Sequence, residues 1–446
     1  MSGLARWYAA NGYTVSGCDT SETSKTLTLL KDSGIDVLHG HSPKHLAGVD
    51  ILISSMAVSD DDAELVAAQQ GKLKTLKRIA LLGELFEMHD AIGVTGTHGK
   101  STTTGMIAAL FLAAGADPSI QIGADLPEIK GNYHHGKGKH LIAEVDESDP
   151  GFANLKCHTA IVTNLEDDHI AGEFEERRNY HASLADLEKA VTHYASSAKQ
   201  FLYCADWDSL TTLFHDAKHG KSYGQHDKAD YKIVTSTHKV DGSEFDFRLP
   251  NGETYSVELS IPGVHNIQNA AAALACAHLN GLDMTTAINA LRKYQGVGRR
   301  WQMLGKVKGA VIIDDYAVHP TEVAVVLKVA KDTGRRVRAV LQPHRWVRTA
   351  RLWQDLADAA GLADEVLVLD IYGAGETAIP GISSELIVER LLEEGKRASH
   401  HTHDSAKTYL IDTLLENDLV ITLGAGDVWQ VGAAIAHQDK PLFEVS

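Results

Sequence analysis

The segment Gly93-Val-Thr-Gly-Thr-His-Gly-Lys-Ser-Thr-Thr-Thr104 constrains this chain more than any other. A short apolar run (Ala91, Ile92, Val94) leads into closely spaced glycines, then Lys-Ser, then an apolar stretch. That order reads as strand, phosphate-binding turn and helix, and it commits the region to an α/β architecture. Glycines let backbone N–H groups curl around an anion, and the helix N-terminus adds its partial positive charge. Gly96, Thr97, His98, Gly99, Lys100, Ser101 and Thr102 form the candidate cradle for ATP. Lys100 would neutralise the β- and γ-phosphates, and the Ser101 hydroxyl would reach Mg²⁺. The standard spacing puts the first glycine at the position of Val94, so this is a variant loop with Gly93 and Gly96 on either side. A glycine-rich turn that binds nothing is the competing reading, and Gly-Lys-Ser-Thr-Thr-Thr argues against it.

Alternating strand-like and helix-like patterns continue along all 446 residues, which predicts three α/β domains built on parallel sheets. Residues 1–85 read as a Rossmann-like domain. Thr14-Val-Ser-Gly-Cys-Asp19 is a strand ending in an acid, and Val49-Asp-Ile-Leu-Ile-Ser-Ser55 is a second strand. Asp19 sits where a dinucleotide fold places its ribose-binding acid. Residues 86–297 read as a P-loop ATPase domain with a parallel sheet plus a small antiparallel sheet around Tyr231–Val234 and Tyr255–Leu259. The helix after the P-loop carries Met106, Ile107, Leu110, Phe111 and Ala114 as a core-facing stripe, with Gly115 as its C-terminal stop. Residues 298–446 restart with Ala310-Val-Ile-Ile-Asp-Asp315 and read as a second Rossmann-like domain. The net charge of −17 argues against nucleic acid or an acidic membrane as a general partner. Four cysteines without paired spacing read as reduced thiols, no apolar run is long enough to span a bilayer, and no signal peptide is expected, so the chain reads as cytoplasmic.

Metal chemistry beside a P-loop needs hard oxygen or imidazole ligands at the ends of neighbouring strands. Glu144-Val-Asp-Glu-Ser-Asp149 follows the strand His140–Glu144, and Glu144 is the choice for direct metal contact; a solvated acidic loop is the alternative. His169 ends Asn164-Leu-Glu-Asp-Asp-His169 beyond the strand Thr159–Thr163, as ligand or as structural histidine. Asn266 or Asn269 could bond an adenine edge, or Asn266 could cap a helix. Arg299 and Arg300 could close over phosphates or form an exposed hinge pair. Asp314, Asp315 and Tyr316 end a strand, and the acids could bind ribose hydroxyls. Arg345 and Arg348 share a face if their segment is helical and could hold a carboxylate; loop polar residues are the alternative for both sites.

Taken together these motifs resemble the Mur ligases, the ATP-dependent amide-forming family of peptidoglycan synthesis. The matching segments are Thr95–Ser101, Glu144–Asp149, Thr163–His169, His265–Asn269 and Gly298–Arg300. Asp314–Glu322, Gln342–Arg345, Asp370–Glu376 and Met1–Ala5 place the resemblance in the branch that joins L-alanine to the lactyl carboxylate of UDP-N-acetylmuramate. The resemblance implies a UDP-sugar domain, a central ATPase and an amino-acid domain, with an acyl phosphate intermediate and ATP and Mg²⁺ as cofactors. It implies catalytic roles for Lys100, His169 and Arg300. It also implies metal ligation by Ser101, Glu144 and His169, adenine contact by Asn266 and Asn269, phosphate contact by Arg300 and ribose contact by Asp315. Asp19, Ser54, Tyr316, His319, His344, Arg345 and Arg348 would line the substrate sites. A monomer or homodimer is expected.

Two departures carry expectations of their own. The family's usual opening strand and Gly-x-Gly-Gly-x-Gly turn are not in the chain, so weak sugar-nucleotide binding and a less protected first domain are expected. Val318 stands where the family often has a second histidine, which removes an imidazole from the acceptor side. Two other functions compete: addition of a preformed tripeptide in cell-wall recycling, which needs a wider acceptor site, and a catalytically weak nucleotide-binding regulator. The intact Lys100, Glu144 and His169 argue against the regulator.

Overall fold

The computed structural model describes residues 1–20, 25–56, 58–172, 180–239 and 241–437. They fall into two compact units, Met1–Lys232 with Ala272–Ala287, and Ile233–Ala271 with Ile288–Ser446.

The first unit opens with the helix Ser2–Ala10, which buries Leu4 and Trp7. Trp7 packs edge-on against His89 and His135, and Arg6 lies over the Tyr133 ring, 4.8 Å from its centre. Strand β1 (Ser16–Asp19) pairs in parallel with β2 (Asp36–His39), and β3 (Ile51–Ser54) with β4 (Lys74–Lys77). Each pair is its own two-stranded sheet, and β1 and β2 are largely exposed. Both expected strands are therefore present, though each is shorter than the apolar pattern suggested. Two strands expose half their ladder groups to water, so pairing frays early at the ends.

Next come β5 (Asp90–Thr95), β6 (Ser119–Leu126), β7 (Gly131–His134), β8 (His140–Glu144), β9 (Thr159–Val162), β10 (Gln200–Cys204) and β11 (Gly220–Gly224). Their order in the sheet is β11-β10-β9-β5-β8-β6-β7. All neighbours are parallel except β6 and β7. Tyr231 and Lys232, at the start of β12 (Tyr231–Lys239), extend it beyond β11. Strand β5 is central, and Ala91, Ile92 and Val94 are wholly buried, as a parallel sheet covered on both faces requires. The helix Lys100–Ala113 follows it. Every residue from Ser101 to Phe111 is buried, so the helix has no solvent face, while Ala114 is exposed past its end. The expected one-sided stripe underestimated this burial, because Thr102, Thr103, Thr104 and Gly105 are small enough to pack where the pattern placed polar surface. Gly115 takes a positive φ of 71°, which stops the helix as expected.

The second unit holds the antiparallel hairpin β13 (Gly242–Arg248) and β14 (Thr254–Leu259). Its larger sheet contains β15 (Gln302–Val307), β16 (Ala310–Asp315), β17 (Arg336–Leu341), β18 (Glu365–Val368), β19 (Ala398–His400) and β20 (Asp418–Leu423). The order is β15-β16-β20-β17-β18-β19, and only the β15–β16 pair is antiparallel. Both faces are covered by apolar clusters, one containing Ile313, Leu327 and Val366, the other Ile312, Leu367 and Val431. Among the described residues no helix is long and apolar enough to cross a membrane.

Candidate active site

In the first unit the loop after β5 is held from below by the extension of β9. Thr163 Oγ1 donates to the His98 carbonyl at 2.6 Å, and Asn164 Nδ2 donates to the same oxygen at 2.9 Å. Asn164 Oδ1 in turn accepts the His98 N–H at 2.7 Å. Thr97 Oγ1 accepts the Glu166 N–H at 2.9 Å, and the His98 ring meets Glu166 at 2.6 Å. Gly96 has φ +125°, and a Cβ there would strike Thr163 Oγ1 and the Asn164 backbone, so only glycine fits. Gly99, at φ +79°, begins the helix. Gly93 has a different role. It lies within β5, and a Cβ there would strike Tyr194 Oη, Cys157 Sγ and Phe86, so its smallness serves core packing behind the loop. The sequence pattern could not separate these two uses of glycine. Nor did it single out Thr163, Asn164 and Glu166 as the strap on the loop, although all three lie in the motif that flagged His169.

Strands β8 and β9 both border β5, one on each side. The arrangement delivers both carboxyl ends to the P-loop, where open α/β sheets bind ligands. Ser101 Oγ donates to Glu144 at 2.9 and 3.0 Å, and the Gly123 N–H donates to the same carboxylate at 2.7 Å. His169 has φ +58°, and its Nε2 lies 3.9 Å from Glu147 and 3.6 Å from Asp168. Donor atoms of Asp146, Glu147 and His169 come within 4.8 Å of one another.

The Lys100 side chain is only 14% exposed and is tied back onto the loop. Its ammonium donates to the Gly96 carbonyl at 2.7 Å, the Thr97 carbonyl at 3.1 Å and Glu147 at 2.9 Å. Burial alone would lower its pKa, but the charges of Glu147, Asp146 and Glu144 hold it above the ordinary lysine value. Burial pushes the Glu147 carboxyl up to about 7, against the pull of Lys100.

Elsewhere in this unit, Asp19 is exposed at the end of β1 and its carbonyl accepts the Gly40 N–H at 2.8 Å. Ser54 is buried at the end of β3, in the other small sheet. The structure thus puts these two candidates on separate strand pairs. Glu64 accepts from Cys18 at 3.1 Å and from the Ser42 N–H at 2.9 Å, and meets His45 at 2.5 Å, a cluster closed by its own hydrogen bonds.

In the second unit Asn266 and Asn269 lie inside the helix Val264–Leu279 and are buried. Asn266 is not a cap: its Nδ2 donates to the Pro262 carbonyl at 2.6 Å, and Asn269 donates to Asn266 at 3.3 Å. Arg299 and Arg300 diverge. Arg299 pairs with Asp314 at 2.9 Å and donates to the carbonyls of Gly424, Ala425 and Gly426, so it fastens the turn after β20. That use explains the Gly-Ala-Gly segment as a turn. Arg300 lies 3.5 Å from Glu322 and 5.0 Å from the centre of the Tyr316 ring. Asp315 accepts the N–H groups of Trp301 and Ala317 at 2.8 and 2.9 Å. Burial lifts its carboxyl to about 6, with Arg300 and those two N–H groups opposing. His319 caps the helix Pro320–Asp332, and Glu322 completes the capping box. Val318, in the place of the absent imidazole, is buried and donates its N–H to Glu322 at 3.0 Å.

His344 and Arg348 are brought together. Arg348 Nη1 lies 3.2 Å from His344 Nδ1, and the His344 ring stacks on Tyr372 at 5.8 Å. Arg345 has φ +69° at the start of the helix Trp346–Ala360, so it lies outside the helical turn that holds Arg348; its guanidinium is 3.9 Å from Glu376.

Comparison with known proteins places the chain among the Mur ligases. The Mur ligase family catalytic domain matches residues 1–89, the Mur ligase middle domain residues 94–277, and the glutamate ligase domain of Mur ligases residues 299–426. A UDP-N-acetylmuramate–L-alanine ligase of Deinococcus radiodurans is 41% identical over 442 residues, covering 98% of this chain and 91% of that protein. One from Dictyoglomus turgidum is 34% identical, covering 99% and 95%. The crystal structure of a UDP-N-acetylmuramate–alanine ligase from Thermotoga maritima superimposes with a TM-score of 0.82 at 26% identity, covering 98% and 96%. A murein peptide ligase from Psychrobacter arcticus, at TM-score 0.72 and 22% identity over 98% and 95%, shares the fold.

Proposed function

We infer the reaction from a premise: the chain belongs to the Mur ligase family, whose three domain signatures it carries in order. It is an ATP-dependent ligase that forms a C–N bond in peptidoglycan precursor synthesis, joining L-alanine to UDP-N-acetylmuramate. The observation that carries this reading is the P-loop with Lys100 on Glu147 and Ser101 on Glu144, in a chain 41% identical to a ligase of that name.

Phosphoryl transfer asks a protein mainly for positioning and charge neutralisation. The glycine loop offers backbone N–H groups to phosphates, and Lys100 supplies the positive charge. ATP phosphorylates the lactyl carboxylate; the amine of L-alanine attacks the acyl phosphate, and phosphate leaves from the tetrahedral adduct. Arg300 neutralises phosphate charge, Asn266 and Asn269 recognise adenine, and Asp315 accepts from ribose hydroxyls. Asp19, Ser54, Tyr316 and His319 serve the sugar nucleotide and its lactyl end. His344, Arg345 and Arg348 hold the acceptor, the arginines suiting its carboxylate. Hard oxygens of Ser101 and Glu144, already 2.9 Å apart, fit Mg²⁺, and His169 fits a second ion. Bound there, Mg²⁺ would offset phosphate charge. Residues 1–85, 86–297 and 298–446 are, on this reading, the sugar-nucleotide, ATP and amino-acid domains.

The test is ATP-dependent phosphate release with UDP-N-acetylmuramate and a panel of acceptors. L-alanine should lead, with glycine and serine poorer, because one methyl group discriminates by only about 1–3 kcal/mol. Preference for a tripeptide would move the chain to the recycling reaction. Absence of phosphate release with every acceptor would favour the regulatory reading.

A further inference from the structure

Glu147 has no part in the reaction just described, yet it is the most buried carboxylate beside the P-loop, with a side chain 1% exposed. Its neighbours in Glu144–Asp149 are otherwise engaged. Glu144 takes the Ser101 hydroxyl, Asp146 accepts the Ser148 N–H, and Asp149 caps the short helix after it. Glu147 alone of the four grips Lys100, at 2.8 and 2.9 Å. Its backbone is fixed as well. His181 Nε2 lies 2.7 Å from the Glu147 carbonyl, and the His181 N–H donates to the His169 carbonyl at 2.7 Å. The carboxylate is thus held where it is by the two loops that carry the candidate metal ligands.

An ammonium has three protons to donate. Lys100 directs them at Gly96 and Thr97 in its own loop and at Glu147 in the loop after β8, so its donor capacity is filled within the fold. Contact with a phosphate requires it to leave a partner. The carboxylate is the partner that a phosphate oxygen can replace charge for charge; the two carbonyls are neutral and belong to the lysine's own loop.

We propose that Glu147 is a positioning residue acting through Lys100: it latches the P-loop lysine while the site holds no nucleotide and yields it to the phosphates of ATP. This rests on the reading of the P-loop as the ATP site. The latch lowers apparent nucleotide affinity, since only the unlatched fraction is ready to bind. It also recaptures the lysine as products leave, which speeds their release.

The experiment is ATP and ADP binding to the full chain by calorimetry, for wild type, E147Q, K100M and the double variant, with D146N as a control. E147Q should bind both nucleotides about tenfold tighter, with kcat and KM for ATP falling together as ADP lingers. In the K100M background the same change should alter affinity by less than about twofold, because the latch has nothing to hold. E147D keeps the charge but shortens the reach, so it should also tighten binding; a charge acting through space would leave it like wild type. Equal tightening by D146N, a gain that persists in K100M, or no gain in E147Q and E147D would each overturn the latch. A wild-type chain that binds no ATP would overturn the ligase reading and the latch together.

Discussion

Replacing Asp315 by asparagine tests whether a buried carboxylate is maintained at a cost to stability. Asp315 is 4% exposed and its carboxyl is raised from 3.8 to about 6, chiefly by burial. A raised acid binds its proton more tightly in the folded chain than in the unfolded one. Its favourable share is therefore complete below the unfolded value, is lost as pH rises toward about 6, and becomes a constant cost above that. The shift of about 2 units corresponds to a cost on the order of 3 kcal/mol at about pH 8. Asparagine removes the charge but offers one acceptor oxygen, while Trp301 and Ala317 donate to both oxygens of the aspartate. Losing one of those bonds returns about 1 kcal/mol. D315N should thus be more stable than wild type by about 2 kcal/mol at about pH 8, and by roughly 1 kcal/mol less at about pH 5. Thermal melts of the two proteins across that range read the difference directly. Turnover should fall in the same variant, because the proposed ribose contact loses its anionic acceptor. A melting difference that does not change with pH, or a D315N chain less stable at high pH, would refute the reasoning.

Three further outcomes are expected. K100M should lose turnover by about 100-fold or more and also melt earlier, because Glu147 is left buried without its cation; a variant as stable as wild type would contradict the resting ion pair. H169A should raise the Mg²⁺ concentration needed for half-maximal phosphate release while leaving the KM for L-alanine nearly unchanged, and a change confined to alanine would remove His169 from the metal site. In hydrogen exchange, peptides covering β1 and β2 should exchange well before those covering β5, since the former are largely exposed and β5 is buried; equal protection would show that the small sheets are closed in some other way.

Much of the architecture was legible because local chemistry leaves little choice. Apolar runs such as Ala310–Ile313 and Leu141–Ala143 fit strands buried on both faces, and Gly-Lys-Ser after such a strand fits a phosphate turn. The order of motifs likewise groups Lys100, Ser101, Glu144 and His169 as candidates for one site. What a linear pattern cannot state is which side of a strand its neighbour occupies, so β5 between β8 and β9 came only from the sheet. It cannot tell a glycine that lets the loop close onto Thr163 and Asn164 from one that makes room for Tyr194, because both are simply the absence of a Cβ. It read Arg299 and Arg300 as a pair, whereas the chain turns between them and sends one to carbonyl oxygens and the other toward Glu322 and Tyr316. The sequence by itself determined which charged groups the phosphate site has. The tertiary structure decided which of them face each other, and hence that Lys100 rests on Glu147, because burial strengthens a pairing that water would weaken and only folding brings residues 47 positions apart within 2.9 Å.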